Sequence, residues 1–244
     1  IDDPEDPADD HKREWLKLTA IDLSDPAAPL VADERYIEGY DWWYYGYYWD
    51  WWWWGWYYPR TDEAVQAGSA LVLHQVRHYS WCNDCENDKL LVIDLADPYN
   101  LPVPREIELK NRDWTTGMQV VGNEVRFSHY RVTDLHDPNG RPLVRYYLNR
   151  LDVSSPRNPT LHAPINVPGV LIGSDPQRGL IYTEDYQYSG QGYGFTRSVN
   201  VVAISDTHAT LRGRVDLPED TGRLVVDGQR AWTVKNKWWY DEDT

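Results

Sequence analysis

The sequence predicts an all-β chain built from repeated four-stranded antiparallel units. Two kinds of segment recur along its 244 residues: apolar runs that stop at an Asp-Pro or Ser-Pro pair, and paired apolar runs joined by a dipeptide suited to a tight hairpin turn. No segment has a convincing helical period. Four short strands in each repeat, with turn residues between them, are typical of a β-propeller blade, so we expect a single β-propeller domain over residues 1–244.

The first recurring segment is a strand that ends abruptly. Its four copies are LKLTAIDLSDPAAP from Leu16, KLLVIDLADPYNLP from Lys89, YYLNRLDVSSPRNP from Tyr146 and the less regular VNVVAISDTHAT from Val199. Proline has no N–H to donate to a sheet ladder, and Asp or Ser side chains can accept a hydrogen bond from the backbone that follows. Each strand is therefore predicted to end at this point, and a second short strand follows it.

The second recurring segment is a hairpin that precedes the first. Gly122-Asn123, Asp227-Gly228 and Gly68-Ser69 lie between apolar runs at the place of a tight turn. A full unit is then two hairpins. Residues 1–39 supply only the last two strands of a unit and residues 221–236 only the first two, so the chain holds about four blade equivalents. The two halves either complete a closing blade or belong to a segment of a larger propeller.

The strand pattern, with IDLSDP at residues 21–26 and IDLADP at 93–98, and with VPG closing a following strand at 167–169, resembles the LVIVD-type repeats of secreted bacterial β-propeller proteins. The resemblance covers most of the chain from Trp15 onward and is strongest over Leu90–Pro98 and Tyr146–Gly169. It implies a propeller fold and an extracellular, cell-surface or periplasmic location, and it implies little about chemistry. A composition rich in Trp, Tyr and Asp, with one Met, agrees with that location.

Residues 40–58, here called the aromatic block, contain the tandem repeat DWWYYGYYW and DWWWWGWYY. Burying every ring would require a partner for each indole N–H and phenol O–H. Two interpretations stay open: the rings pack on each other and on the domain beneath them, or they form a contact surface for a partner or ligand. The candidate binding residues are Trp42, Trp43, Trp49, Trp51, Trp52, Trp53, Trp54, Trp56, Tyr57 and Tyr58.

The net charge of −15 disfavours two classes of partner. Nucleic-acid phosphates and anionic membrane surfaces would both repel the chain. No apolar run approaches the roughly 20 residues of a membrane-spanning helix. We therefore expect neither nucleic acid binding nor a membrane span.

Cys82 and Cys85 form a CxxC motif in SWCNDCEN. A zinc site needs two further ligands, and the sequence has no second CxxC; a thioredoxin-like redox pair needs a βαβ context that is missing here. A local disulfide or a pair of structural thiols is the favoured interpretation, with metal binding and redox chemistry as alternatives. In an oxidising compartment the two thiols should be linked to each other.

Both ends of the chain are acidic. IDDPEDPADD opens an acidic loop predicted over residues 1–14, and DED lies near the other end. A solvated loop is the simple interpretation, and a low-affinity calcium site is the alternative, because calcium selects oxygen ligands. No cofactor is otherwise expected.

No catalytic motif is present, but one polar set recurs in the repeats. Alignment of the second strands places Gln75, His129, Glu184 and Lys235 at one position, and equivalent positions in a propeller converge around its axis. This axial polar ring is either hydrated or a small-ligand site.

Three functions remain for the chain. The leading one is a non-enzymatic scaffold that binds another protein, or other chains of its own assembly, through the aromatic block. The second is a glycan-binding module, in which rings stack on sugars while Asp41 and Asp50 accept hydroxyl hydrogen bonds. The third is an enzyme whose site lies in the ring around Glu184 and His129.

Overall fold

The computed structural model describes residues 15–38, 62–75, 89–109, 113–137, 140, 142–188, 195–218 and 222–234. Over these ranges it contains strands β1 to β17, one 3-10 turn at Pro176–Arg178 and no α-helix. The all-β prediction is confirmed. The chain divides into two compact units, residues 1–110 with 153–160 and residues 111–152 with 161–244, and each is described by itself.

The first unit contains two antiparallel sheets. A two-stranded sheet pairs β1 with β2, and a four-stranded sheet has the order β3-β4-β5-β6. Buried Ile37, Leu91 and Ile93 form a core between the sheets, with leucines from β1 and β4 packed against it. The strands are β1 (Trp15–Asp22), β2 (Leu30–Glu38), β3 (Asp62–Ala67), β4 (Ala70–Gln75), β5 (Lys89–Asp94) and β6 (Arg105–Glu108).

The second unit continues the series of sheets, with β10 beginning at the boundary residue Thr160. Its sheets have the orders β10-β9-β8-β7 with β11 also on β9, β12-β13-β14-β15, and β16-β17. The strands are β7 (Asp113–Val121), β8 (Glu124–His136), β9 (Pro142–Asp152), β10 (Thr160–Leu161), β11 (Ile165–Val167), β12 (Val170–Asp175), β13 (Leu180–Tyr188), β14 (Phe195–Ile204), β15 (Ala209–Leu217), β16 (Arg223–Asp227) and β17 (Arg230–Val234).

The core of the second unit joins its two larger sheets. Leu148 and Ile165, on the first of these sheets, pack with Leu171, Ile181 and Val202 on the second. The series of sheets along the described chain matches the expected three full units between two half units. One detail differs, because the middle sheet has five strands. Pro164 has no N–H, and the outer strand is divided there into β10 and β11.

Two hairpin turns lie at the predicted dipeptides, and the third lies one residue later, at 228–229, because Asp227 ends β16. A glycine with positive φ lies in each of the turns that join β3 to β4, β7 to β8 and β16 to β17. Glycine adopts positive φ without strain. The three glycines are Gly68 (φ 58°), Gly122 (φ 61°) and Gly228 (φ 54°). The connection from β12 to β13 is different, because the 3-10 turn replaces the two-residue turn and Asp175 accepts a hydrogen bond from the Arg178 N–H at 3.2 Å.

Two strands of the first recurring segment end three residues before the Asp-Pro pair at which the sequence predicts the stop. β1 stops at Asp22 and β5 at Asp94. The Oδ1 atoms of these two residues accept hydrogen bonds from the N–H groups of Ser24 at 2.8 Å and Ala96 at 3.1 Å. Each aspartate thus satisfies the backbone that would otherwise have continued the ladder.

Candidate functional site

Most of the residues singled out in the sequence lie outside the described ranges. These residues are the ten aromatic candidates of the aromatic block, Cys82 and Cys85, the acidic stretch 1–14 and Lys235. Their roles stay predictions. Gln75, His129 and Glu184 are described, and all three side chains are buried.

These three buried side chains do not share one register position. Gln75 pairs with Lys89, and His129 pairs with Tyr147. The two partners, Lys89 and Tyr147, each lie five residues before the aspartate that ends their own strand. Glu184 pairs with Val199, which lies four residues before the matching strand-end position. Glu184 is thus one residue out of step with the other two.

The Glu184 carboxylate is held by Arg197 on the neighbouring strand β14. Arg197 Nε donates to Glu184 Oε1 at 2.6 Å, and the Arg197 Nη2 atom contacts the same oxygen. Arg197 Nη1 donates to the carbonyl of Gly222 at 3.0 Å. The side chains are 9% exposed for Glu184 and 12% for Arg197. The charge of this buried carboxylate is therefore paired, and its side chain is held in place by the neighbouring strand.

Tyr186 completes this cluster on the same face of the sheet. It pairs with Arg197 across the strands, and the guanidinium lies 5.6 Å from the centre of its ring. Tyr186 is still 41% exposed, and its partial burial together with the nearby charge of Glu184 raises its pKa to about 12, against the opposing effect of Arg197. The phenol therefore stays protonated at neutral pH and can donate a hydrogen bond.

His129 belongs to a second buried cluster, on β8 and β9. Its ring stacks on Tyr147 with centroids 4.9 Å apart, and Arg131 lies 5.4 Å from the centre of the Tyr147 ring. The Nδ2 atom of Asn149 lies 2.8 Å from Nδ1 of His129 and also donates to the Phe127 carbonyl at 3.2 Å. The Asn149 amide can donate to Nδ1 only where that nitrogen carries no proton.

Sequence reasoning missed the partners that hold these residues. Asn149 stands three residues before Asp152, and Asn200 stands three residues before Ala203, the matching position of the next unit. Both asparagines are buried, and Asn200 donates to the carbonyl of Pro168 at 3.2 Å. A polar residue recurring at one place in an apolar strand was the available signal, because a buried amide needs hydrogen-bond partners.

A further set of contacts links consecutive repeats in the first unit. The hydroxyl of Tyr99 donates to Asp22 Oδ2, and Arg157 Nε donates to Asp94 Oδ2 at 2.9 Å. Tyr99 and Arg157 each follow the proline of their own turn. The strand-ending aspartate of one repeat therefore binds the turn of the next repeat, a pairing that we call the repeat link.

Beside the repeat link, two side chains of β2 form hydrogen bonds with the backbone of Leu101, which follows the same turn. Asp33 Oδ2 accepts a hydrogen bond from the Leu101 N–H at 2.7 Å, and Arg35 Nε donates to the Leu101 carbonyl at 2.8 Å. Leu101 itself is buried. Both polar groups of this buried residue are thus satisfied by side chains of the preceding sheet.

Acid should weaken the first unit through these two aspartates. Hydrogen bonds from Tyr99 to Asp22 and from the Leu101 N–H to Asp33 lower the pKa of each carboxyl below the ordinary value of 3.8. Carboxyls of this kind stabilise the fold above their unfolded pKa, and the contribution is lost as the pH falls through the folded pKa. The Y99F variant should therefore unfold at a higher pH than the parent in an acid titration followed by circular dichroism.

Y36F is the matched control, because Tyr36 is another exposed tyrosine of the same unit. It leaves both aspartates with their hydrogen bonds, and its acid midpoint should equal that of the parent. Equal midpoints for Y99F and Y36F would contradict the role given to the repeat link.

Comparison with known proteins does not assign the chain to a family. No protein-family model, curated protein or solved structure matches the chain. In the part of the chain that the structure describes, no group of three or more His, Cys, Asp and Glu residues is arranged to hold a metal ion. No helix in that part is long and apolar enough to cross a membrane.

Proposed function

We propose that the chain is a non-enzymatic β-propeller scaffold of the LVIVD-repeat type, secreted or displayed at the cell surface, that assembles with another protein through the aromatic block. The position of the block carries this proposal. In the sequence the block falls between β2, which ends at Glu38, and β3, which begins at Asp62 in another sheet. Connections between elements of a rigid scaffold are where binding residues concentrate.

The series of small sheets supports the propeller. Three full sheets lie between two two-stranded sheets, and glycine turns recur in three of the hairpins. The aspartate at the end of the third strand recurs in β1 and β5, and in the first unit the repeat link joins consecutive repeats. Repeats of four short antiparallel strands with insertions between them form propellers, whose blades give a rigid platform.

The buried polar residues support a scaffold over an enzyme. Glu184 is bound by Arg197, and the amide of Asn149 lies against His129. A general base needs a lone pair available to substrate, whereas these contacts serve to hold the interior strands together. The aromatic block is rich in Trp and Tyr, the residues enriched in the cores of protein interfaces. These side chains bury large areas and lose little conformational entropy on binding.

The test removes four rings from the block. A variant with W51S, W52S, W53S and W54S should keep the far-UV circular dichroism of the parent and lose binding to whatever protein the parent captures, or lose its own assembly. Light scattering coupled to size exclusion, and pull-down with the purified partner, measure these effects.

The matched control removes four exposed apolar side chains from the described strands, namely Val132, Leu135, Leu143 and Val144 on β8 and β9. That variant should assemble like the parent. Lost binding on a glycan array with unchanged assembly would favour the glycan module, whose Asp41 and Asp50 precede each set of rings. Unchanged assembly and glycan binding, with only a lower melting temperature, would show that the block is internal packing.

A further inference from the structure

Two arginines lie directly opposite each other on the neighbouring strands β8 and β9. Arg126 pairs with Arg150, and Gln119 of β7 pairs with Arg126, so the three side chains form one row across the sheet, here called the arginine row. Opposite residues of antiparallel strands have Cβ atoms about 5 Å apart, and like charges in that position are destabilising. The arginine row therefore needs negative charge close to it.

The arginine row faces the next sheet of the second unit, β12-β13-β14-β15. Residues two apart on a strand share a face, and Leu148, two residues from Arg150, packs in the core formed with that sheet. Arg150 Nη2 also donates to the carbonyl of Asp206, in the turn after β14, at 3.0 Å. The side chains of Arg126 and Arg150 are only 12% and 11% exposed. Both guanidinium groups thus lie between two sheets with most of their hydration removed.

The two arginines differ in how their charge is balanced. Glu124 Oε1 accepts a hydrogen bond from Arg126 Nε at 2.6 Å and pairs the first charge. Within the described ranges the acidic partner of Arg150 is Asp206, whose Oδ1 lies 3.6 Å from Nη1 and whose side chain is 98% exposed. That distance is too long for a hydrogen bond, and a carboxylate so exposed to water adds little stability. The row therefore keeps the charge of one guanidinium that is weakly paired.

The Nε atom of Arg150 sharpens this imbalance. It is buried, and no described residue accepts a hydrogen bond from it. Leaving a buried donor of a charged group without an acceptor costs free energy. An acceptor with negative charge at this place would satisfy the donor and balance the charge at once.

We propose that the arginine row binds a small oxyanion, carried by a phosphate group or a carboxylate, between the two sheets. The guanidinium group presents its donors as a planar fork that matches two oxygens of such an anion. Since so little of either arginine is exposed, the row suits a small anion better than a large ligand. The site uses no residue of the aromatic block, so its test is separate from that of the proposed function.

Thermal unfolding in the presence of inorganic phosphate tests the site. At about ten times its dissociation constant, a bound anion should raise the melting temperature by roughly 3 to 6 °C. Each titration is compared with sodium chloride at the same ionic strength, because a chain with a net charge of −15 responds to salt itself. Sodium acetate is the second arm: a shift in phosphate alone assigns a phosphate group, and a shift in acetate assigns a carboxylate.

The R150M variant removes the anchor of the site and should lose the response to the anion. In chloride its melting temperature should stay close to that of the parent, because losing the Asp206 contact is offset by removing one of two opposing like charges. R145M is the matched control, since Arg145 is an exposed arginine of the same strand that pairs with Arg131. It removes the same charge, leaves the arginine row intact and should respond to the anion as the parent does.

The variant also accounts for the general stabilisation of proteins by phosphate, which arises from exclusion of the salt from protein surfaces and should be equal in parent and R150M. A shift in the parent and in R145M that R150M lacks supports the proposal. Equal shifts in the parent and R150M, equal loss of the response in R150M and R145M, or no shift beyond that in chloride would overturn it.

Isothermal titration calorimetry of the parent chain with inorganic phosphate and with acetate gives a second measurement, for the case that R150M does not fold. Heat that saturates at one anion per chain supports the site. The absence of saturable heat with both anions contradicts it.

Discussion

Replacing Arg197 with alanine should lower the free energy of unfolding by about 3 to 5 kcal/mol, the usual cost of leaving a buried charge without its partner. The Glu184 carboxylate, only 9% exposed, would remain in the interior of the sheet with its main cation removed. The Gly222 carbonyl would lose a donor at the same time. Chemical denaturation followed by circular dichroism or tryptophan fluorescence measures the difference.

Two further variants show whether burial of the charge is the cause. Arg214 Nε and Asp216 Oδ1 form a pair of similar geometry at 2.9 Å, but their side chains are 34% and 65% exposed, so R214A should cost about 0 to 1 kcal/mol. The double variant E184M/R197M removes both charges and should be much closer to the parent than R197A. Equal costs for R197A and R214A would show that Glu184 is not a desolvated charge.

Gly169 to alanine should be the second severe change, at about 4 kcal/mol, as the sum of about 1 to 3 for a strained backbone and about 1 to 3 for overpacking. Gly169 has a φ of 91°, and a Cβ there would overlap the Glu184 carbonyl group, 2.6 Å from its carbon and 2.9 Å from the nitrogen of Asp185. These are backbone atoms of β13, which cannot rotate away. The adjoining Pro168 carbonyl is fixed by hydrogen bonds from Thr183 and Asn200.

Gly122 to alanine separates the two contributions. Gly122 also has a positive φ, 61°, but an added Cβ would meet nothing within 4 Å. Its loss of stability should be about 1 kcal/mol, the cost of the backbone conformation alone. If G169A and G122A have the same denaturation midpoint, the close approach of Gly169 to β13 does not constrain the fold.

The parts of the fold that depend on local chemistry could be predicted from the sequence. The two-residue turns at Gly68, Gly122 and Gly228 follow from rules that involve only neighbouring residues. The same kind of rule predicted a strand end near each Asp-Pro pair, and the strands end three residues earlier, at Asp22 and Asp94. The fifth strand of the middle sheet did not follow from them. It depends on Pro164 dividing one outer strand, and on the pairing of both pieces with β9.

The contacts of the buried polar residues were harder to predict, because they join residues far apart in the chain. Glu184 could be recognised as an interior polar residue, but its partner Arg197 comes from a stretch where the sequence departs from the repeat pattern. The register of Glu184 was also one residue different from that expected by alignment, since its hairpin contains the 3-10 turn. A loop of different length shifts an alignment without changing the local strand signal.

The repeat link has a consequence for how such a chain can lengthen. Each link needs an aspartate at the end of one repeat and a donor after the proline of the next, and Tyr99 and Arg157 meet that need with different chemistry. If either repeat were duplicated and the copy followed the repeat that carries Asp22 or Asp94, the turn of the copy would find an aspartate to bind in the preceding repeat. The fourth repeat has Ala203 at the aspartate position, so a copy inserted after it would begin without that anchor.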